Sequence, residues 1–268
     1  MKKVIVYFLS IIVFTSCNNI EQAVDNAPSA IITPSSISYA VIKIYPHDTS
    51  SYTQGLFFHN NKLYEGTGWN KESKLMIVDL NTGKAEKKIP LADSVFGEGI
   101  TIFNNKIYQL TWENHKVFVY DANTFKKEKE FEWPFEGWGI THNDSSLIIS
   151  TGGSNLYFVN PNTFKIERTV GVSDNNGYID SINELEYVNG YIYANKYLTD
   201  LILKINPQTG IIEGKVDLTN LIKESGSSYD PRSLDAGFVL NGIAYNQEKK
   251  SFYLTGKRWP FIAEVKFN

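Results

Sequence analysis

Glu98 stands between Gly97 and Gly99, and Lys257 stands in the run Gly256-Lys257-Arg258-Trp259-Pro260. A carboxyl group can carry protons, and an ammonium group can stabilise a developing negative oxygen. Side chains of complementary kinds occur in similar settings along the chain. Gln54, Asn183 and Asn241 are carboxamides beside a glycine or a strand start; Tyr52, Trp112, Trp138 and Tyr197 are aromatic. Brought to one cavity, these residues would hold a small polar ligand between aromatic walls. Taken singly, each also has a structural use. Glu98 fits a solvated turn, Lys257 a rim charge, the indoles packing, and the asparagines turns.

What could bring them together is a repeat. The openings Gln54-Gly55-Leu56, Glu98-Gly99-Ile100, Trp138-Gly139-Ile140, Asn183-Glu184-Leu185 and Asn241-Gly242-Ile243 each start an apolar strand. Positions 55, 99, 139, 184 and 242 are 44, 40, 45 and 58 residues apart. The first three spacings match the roughly 40–50-residue period of four-stranded propeller blades. The last is lengthened by an insertion at Glu224–Val239. Alternating apolar segments dominate, for example Lys62–Glu65, Leu75–Leu80, Lys106–Leu110 and Leu156–Val159. Asn-rich turns separate them, including Asn81-Thr82-Gly83, Asn123-Thr124-Phe125, Asn162-Thr163-Phe164 and Gln208-Thr209-Gly210. The best helical segment is short, Leu218–Lys223. The expected fold is therefore all-β: a five-bladed β-propeller of four-stranded blades. The fifth unit stops after its third strand, so Tyr39–Tyr45 is expected to close it as the outer strand and hide a sheet edge. Loops entering the innermost strands converge on one axial spot, and the five openings carry the unusual residues there.

The chain before the propeller reads as an address. Lys2 and Lys3 precede an apolar run, Val4–Phe14, too short to span a bilayer. Residues 1–16 resemble a bacterial lipoprotein signal, with Cys17 as the lipidated N-terminus; an ordinary secretory signal is the other reading. Residues 17–38 are polar and read as a flexible tether, and 39–268 as the folded domain. The expected location is the bacterial cell envelope, lipid-anchored and facing the periplasm or exterior. The formal net charge is −3, and it becomes more negative once Lys2 and Lys3 leave, so nucleic acid is not an expected partner. His47, His59, His115 and His142 are scattered without metal-ligand spacing. Asp174-Asn175-Asn176-Gly177 lacks the full calcium-loop pattern and reads as a turn. No metal and no cofactor are expected.

Tyr-Thr-Gln-Gly-Leu, Phe-Gly-Glu-Gly-Ile-Thr, Gln-Leu-Thr-Trp, Glu-Gly-Trp-Gly-Ile-Thr, Ile-Asn-Glu-Leu-Glu-Tyr, Leu-Asn-Gly-Ile-Ala and Thr-Gly-Lys-Arg-Trp-Pro follow one another in this order. This set resembles the glutaminyl-peptide cyclotransferases of the plant and bacterial type, as in papaya latex, over essentially all of Tyr39–Asn268. The resemblance implies a five-bladed propeller without catalytic zinc. It implies conversion of an N-terminal glutamine to pyroglutamate with release of ammonia. It places Gln54, Glu98, Trp112, Trp138, Asn183 and Lys257 on the family's pocket positions; for that reaction Glu98 is the expected proton carrier and Lys257, or a carboxamide of Gln54 or Asn183, the expected stabiliser of the oxyanion. Tyr52 stands where the family usually has Phe, and Tyr197 where it often has Trp; both keep an aromatic face and add a hydroxyl. A peptide or protein beginning with glutamine is the expected partner, and a monomer the expected state. Two other readings stay open: a non-catalytic propeller that binds peptides or proteins, and a metal-dependent propeller hydrolase.

Overall fold

The structure is a computed structural model that describes residues 33–229 and 237–268. The leader 1–16, Cys17 and the first part of the tether lie outside the described residues. Five four-stranded antiparallel blades follow in chain order. Their innermost strands are Thr53–His59, Gly97–Phe103, Ile140–His142, Ile182–Val188 and Leu240–Asn246, for blades 1 to 5. Three further strands step outward in each of blades 1 to 4. The hairpins between the first two strands turn on left-handed asparagines: Asn60 and Asn61, Asn104 and Asn105, and Asn189 before Gly190. Asparagine tolerates this conformation better than other residues with a Cβ, so the turn residues set the strand register.

Blade 5 closes as expected. Tyr39–Pro46 pairs antiparallel outside Phe261–Phe267, with Tyr39 opposite Phe267 and Pro46 opposite Phe261. Apolar side chains on the two faces of each sheet form five clusters, one at each junction between neighbouring blades. The junction of blades 5 and 1, for instance, buries Leu56, Leu63 and Met76 against Tyr253 and Ile262.

Two details differ from the sequence reading. Ser35–Ile37, assigned to the tether, pairs parallel with Gly214–Val216 and adds a fifth strand to blade 4. Gly214 has no side chain, and the Ile37 side chain occupies the space a Cβ there would take. The one helix among the described residues is Leu221–Glu224 and starts later than Leu218. The reason is that Asp217 Oδ1 accepts from the Thr219 N–H and hydroxyl at 3.0 and 2.6 Å, which holds the preceding residues in a turn. Asp174-Asn175-Asn176-Gly177 is a hairpin turn. Asp174 Oδ1 accepts from Asn176 N–H at 2.8 Å, and Oδ2 pairs with Lys215 at 2.8 Å.

His47 fastens the closed ring just beyond the closing strand. Its Nδ1 lies 2.8 Å from the Trp259 carbonyl and its Nε2 lies 3.1 Å from Glu65 Oε1. Both partners are acceptors, so both ring nitrogens must carry hydrogen and the ring is an imidazolium. Burial opposes that charge, but Glu65, the Trp259 carbonyl and Asp48 together outweigh it and hold the His47 pKa above its ordinary value. A group with a raised folded pKa stabilises fully below its unfolded pKa, and that share is lost as pH rises through the folded value. His47→Gln is therefore expected to cost about 3 kcal/mol at pH 6, since it leaves Glu65 buried without its partner. The deficit should shrink as pH rises through the folded His47 value. Urea denaturation of both proteins over a series of rising pH values checks this, and a deficit that grew with pH would contradict the imidazolium.

Candidate active site

Four of the five openings do their work through an irregularity in the inner strand. The register against the second strand shifts between Thr53 and Gly55, Gly97 and Ile100, Ile182 and Leu185, and Leu240 and Ile243. These are the positions of Gln54, Glu98, Asn183 and Asn241. A bulge re-aims one side chain out of the pleat, so four blades present a polar residue at the channel mouth. The aromatic residues come from chain just before inner strands or just after second strands. Tyr52 and Trp138 enter inner strands; Trp112 and Tyr197 follow the second strands Lys106–Thr111 and Tyr191–Lys196.

All eight residues expected in the site line one cavity of about 300 Å³: Tyr52, Gln54, Glu98, Trp112, Trp138, Asn183, Tyr197 and Lys257. Asn241 lies behind it. Its amide donates to the Thr53 carbonyl at 3.0 Å and to Gln54 Oε1 at 3.2 Å. Gln54 Nε2 in turn donates to Glu98 Oε1 at 3.1 Å. This chain fixes which way each carboxamide points and leaves the Gln54 amide facing the carboxyl. Asn183 lines the cavity, and its Oδ1 is buried without a hydrogen-bond partner.

Lys257 is placed by its neighbours. Trp259 folds over Gly256, where any side chain would collide with the indole. The intervening Arg258 takes φ +61° and donates its N–H to the Ser51 carbonyl at 2.8 Å. The Lys257 ammonium then sits 4.9 Å from the Tyr52 ring centre and 4.7 Å from that of Tyr197. Among the described residues it has no carboxylate in ion-pair contact. Trp259 itself is fully buried and donates to the Phe238 carbonyl, so it is packing rather than wall.

Burial dominates the electrostatics. It raises the Glu98 carboxyl well above the usual range; Lys257 opposes the shift and Glu136 adds to it. Burial lowers Lys257 to about 8, against the pull of Glu98. Desolvation also raises the Tyr52 and Tyr197 hydroxyls, which stay neutral. The site thus holds a carboxyl group whose pKa burial raises and an ammonium group that loses its proton near pH 8.

Three residues escaped the sequence reading. Trp69 and Phe96 complete the cavity wall. Phe96 stands two residues before Glu98 as Tyr52 stands two before Gln54, so strict alignment of the repeats could have found it; Trp69 lies one residue past Gly68, the blade 1 counterpart of Trp112 and Tyr197, so no repeat position marked it. Glu136 does not line the cavity, but its Oε2 accepts from the indole N–H groups of Trp112 at 2.8 Å and Trp138 at 3.0 Å. It lay inside the motif Glu-Gly-Trp-Gly-Ile-Thr without an assigned task. Glu65, on the second strand of blade 1, is committed to His47 and to Thr53 Oγ1 at 2.7 Å.

A larger cavity, about 730 Å³, opens where the inner strands end, lined by residues such as Phe57, His142, Glu186 and Tyr245. It contains no lysine or arginine, and burial lowers His142. It also holds His59, Asp144 and Glu186, but none of the eight residues expected in the site. Among the described residues no cluster of three His, Cys, Asp or Glu could hold a metal ion.

The model of the family described as glutamine cyclotransferase matches residues 11–267. The chain belongs to the glutamine cyclotransferase family. It is 35% identical over 231 residues to an Arabidopsis thaliana protein named glutaminyl-peptide cyclotransferase, covering 84% of this chain and 70% of that one. The crystal structure of Myxococcus xanthus glutaminyl cyclase superposes with a TM-score of 0.80 at 32% identity, covering 88% of this chain and 98% of that one.

One contact in this cyclotransferase pocket gives a direct test. Gly152, at φ +77°, lies under Trp138, and a Cβ there would come within 2.6 Å of the indole. Gly152→Ala is expected to displace the Trp138 ring while sparing the sheets. Near-ultraviolet circular dichroism should change and the far-ultraviolet spectrum should not; an unchanged near-ultraviolet spectrum would show that the indole does not depend on this glycine.

Proposed function

We infer that the protein is a glutaminyl-peptide cyclotransferase, converting the N-terminal glutamine of a peptide or protein to pyroglutamate with release of ammonia. The carrying observation is that Glu98, Lys257, two carboxamides and a ring of aromatic side chains share one cavity in a chain of this family. A scaffold that only binds peptides has no need to bury a carboxyl and an amine together, because each charge is costly to desolvate.

The reaction suits this equipment. The substrate α-amine attacks its own γ-carboxamide carbon, so nucleophile and electrophile are tethered and the pocket has mainly to select the reactive rotamer. The walls of Trp112, Trp138, Tyr52 and Tyr197 pack on the aliphatic part of the glutamine. As the nitrogen–carbon bond forms, negative charge develops on the carbonyl oxygen, where Lys257 stabilises it. Glu98 takes a proton from the attacking nitrogen and passes it to the amide nitrogen as that carbon–nitrogen bond breaks. Ammonia leaves and Glu98 ends as it began. A carboxyl group with a raised pKa is suited to both halves of this transfer. Asn183 lends a carboxamide to the cavity wall beside the substrate, and Gln54 keeps Glu98 in place.

The roles have separable signatures. Glu98→Gln keeps the shape and is expected to lower turnover by roughly 10²–10⁴ with little change in substrate binding. Lys257→Ala lowers turnover through lost charge stabilisation. In wild type the rate should rise as Glu98 and the substrate amine lose protons, then fall as Lys257 deprotonates near pH 8. Ammonia release from a Gln-initiated peptide measures all three. A folded Glu98→Gln protein with wild-type turnover would remove Glu98 from the chemistry, and a wild type inert on every such peptide would favour a binding module.

The protein works as a monomer, a reading supported by a pocket built wholly from one chain. It is held by a lipid on Cys17 at the bacterial cell envelope, facing the periplasm or exterior. The support for this is the short apolar run ending at Thr15-Ser16-Cys17. Among the described residues no helix is long and apolar enough to cross a membrane. Cys17→Ala is expected to move the protein from the membrane fraction to the soluble fraction with its activity intact; persistent membrane retention would count against the lipid.

A further inference from the structure

Glu136 sits in the turn between the outer strand of blade 2, Lys127–Glu132, and the inner strand of blade 3, Ile140–His142. The turn is pinned on both sides of it. Trp133 N–H donates to the His115 carbonyl at 2.9 Å and Gly137 N–H to the Thr111 carbonyl at 3.1 Å. Gly137 lies so close to blade 2 that a Cβ would come within 2.7 Å of Leu110 Cβ and of the Thr111 carbonyl. The Trp133 indole adds a bond to the Glu136 carbonyl oxygen at 3.3 Å. From this fixed base one carboxylate oxygen receives two indole N–H groups, from Trp112 of blade 2 and Trp138 of blade 3. An indole has a donor and no acceptor, so its plane is set by where that single bond points.

We propose that Glu136 is a positioning residue for the cyclisation: one carboxylate oxygen, shared by the Trp112 and Trp138 indoles, sets the angle between the two aromatic walls that grip the substrate glutamine. The placement is demanding because a ring has no other polar anchor. Trp138 also meets Tyr197 edge to face with centroids 5.4 Å apart, and Trp112 meets Phe96 edge to face at 5.6 Å. Rotating either indole therefore disturbs two further walls. The geometry of the reactive rotamer depends on this frame, and small misplacements there are expensive.

The carboxylate has a second effect, on Glu98. The groups acting on Glu98 are Lys257, which favours its ionised form, Glu136, which disfavours it, the neutral Tyr52 and Tyr197 hydroxyls, and the Gln54 amide that donates to it. Removing the Glu136 charge lets Glu98 ionise at lower pH. Where Glu98 must be ionised to accept the amine's proton, the acidic limb of the rate profile then moves to lower pH.

Two substitutions separate position from charge. Glu136→Gln keeps a carbonyl oxygen that both indoles can reach and removes the charge. Glu136→Ala removes both, and Glu136→Leu, which keeps bulk without an acceptor, replaces it if the alanine variant does not fold. The readouts are kcat and KM for ammonia release from a Gln-initiated peptide across pH, with near- and far-ultraviolet circular dichroism. In Glu136→Gln we expect KM and the near-ultraviolet tryptophan signal to stay near wild type while the acidic limb shifts to lower pH. In Glu136→Ala we expect kcat/KM to fall by roughly 10- to 100-fold, with a changed near-ultraviolet signal and an intact far-ultraviolet one. Wild-type kinetics in Glu136→Ala, or equal damage in both variants, would overturn the proposal. Its kinetic arm rests on the cyclotransferase reading. A wild type that released no ammonia would sink that reading alone, and the near-ultraviolet comparison would still decide whether Glu136 orients the indoles.

Discussion

Every blade ends at the axis in a sheet edge, and the molecule depends on satisfying the backbone donors of those edges where water has little room. The inner strands solve this by bonding to one another across the channel. Gly99 N–H of blade 2 donates to the Trp138 carbonyl of blade 3 at 2.9 Å. Such contact requires a missing side chain: Gly55, Gly99 and Gly139 each lie against the backbone of the next blade. In blade 4 the equivalent residue is Glu184. Its two oxygens accept from Leu56 N–H of blade 1 at 3.1 Å and Ile243 N–H of blade 5 at 2.8 Å. Glu186 takes Tyr245 N–H, and Asn195 takes Gly242 N–H, in the same manner. Three glycines draw blades 1 to 4 together, and one carboxyl group bridges the remainder of the ring.

That solution also makes the site possible. The bulges that start the inner strands interrupt the ladder, and the side chains they turn outward stand on the most constrained part of the molecule. Glu98 can stay buried with a displaced pKa because Gln54, Asn241 and the Thr53 carbonyl of blade 1 fix its surroundings. Lys257 tolerates burial because two aromatic faces replace part of its hydration. The polar groups are thus held by the same axial contacts that close the ring, rather than by flexible loops.

Sequence carried much of this because glycine and asparagine report backbone geometry directly. Gly55, Gly99 and Gly139 marked the close approaches, and paired asparagines marked the hairpins, so blade number and order could be read. The pocket residues could be placed because they occupied repeated positions. Glu136 could not, since its task depends on a turn whose direction is set by Gly137 packing on blade 2. Glu184 was read as one more opening because its spacing matched the glycines; that its side chain reaches two other blades is a property of the closed ring. Ser35–Ile37 looked like tether because three residues carry too little pattern to show that a strand without side-chain cover at Gly214 awaits them.

That added strand has a mechanical consequence. Its three residues lie parallel on the outside of blade 4, ahead of the closing strand in the chain. Any tension on the segment before Ser35 is met first by this short pairing and only afterwards by the antiparallel ladder of Tyr39–Pro46. The short strand acts as a sacrificial fuse: it can peel away and give slack while the seam of the ring, and the channel mouth behind it, stays shut.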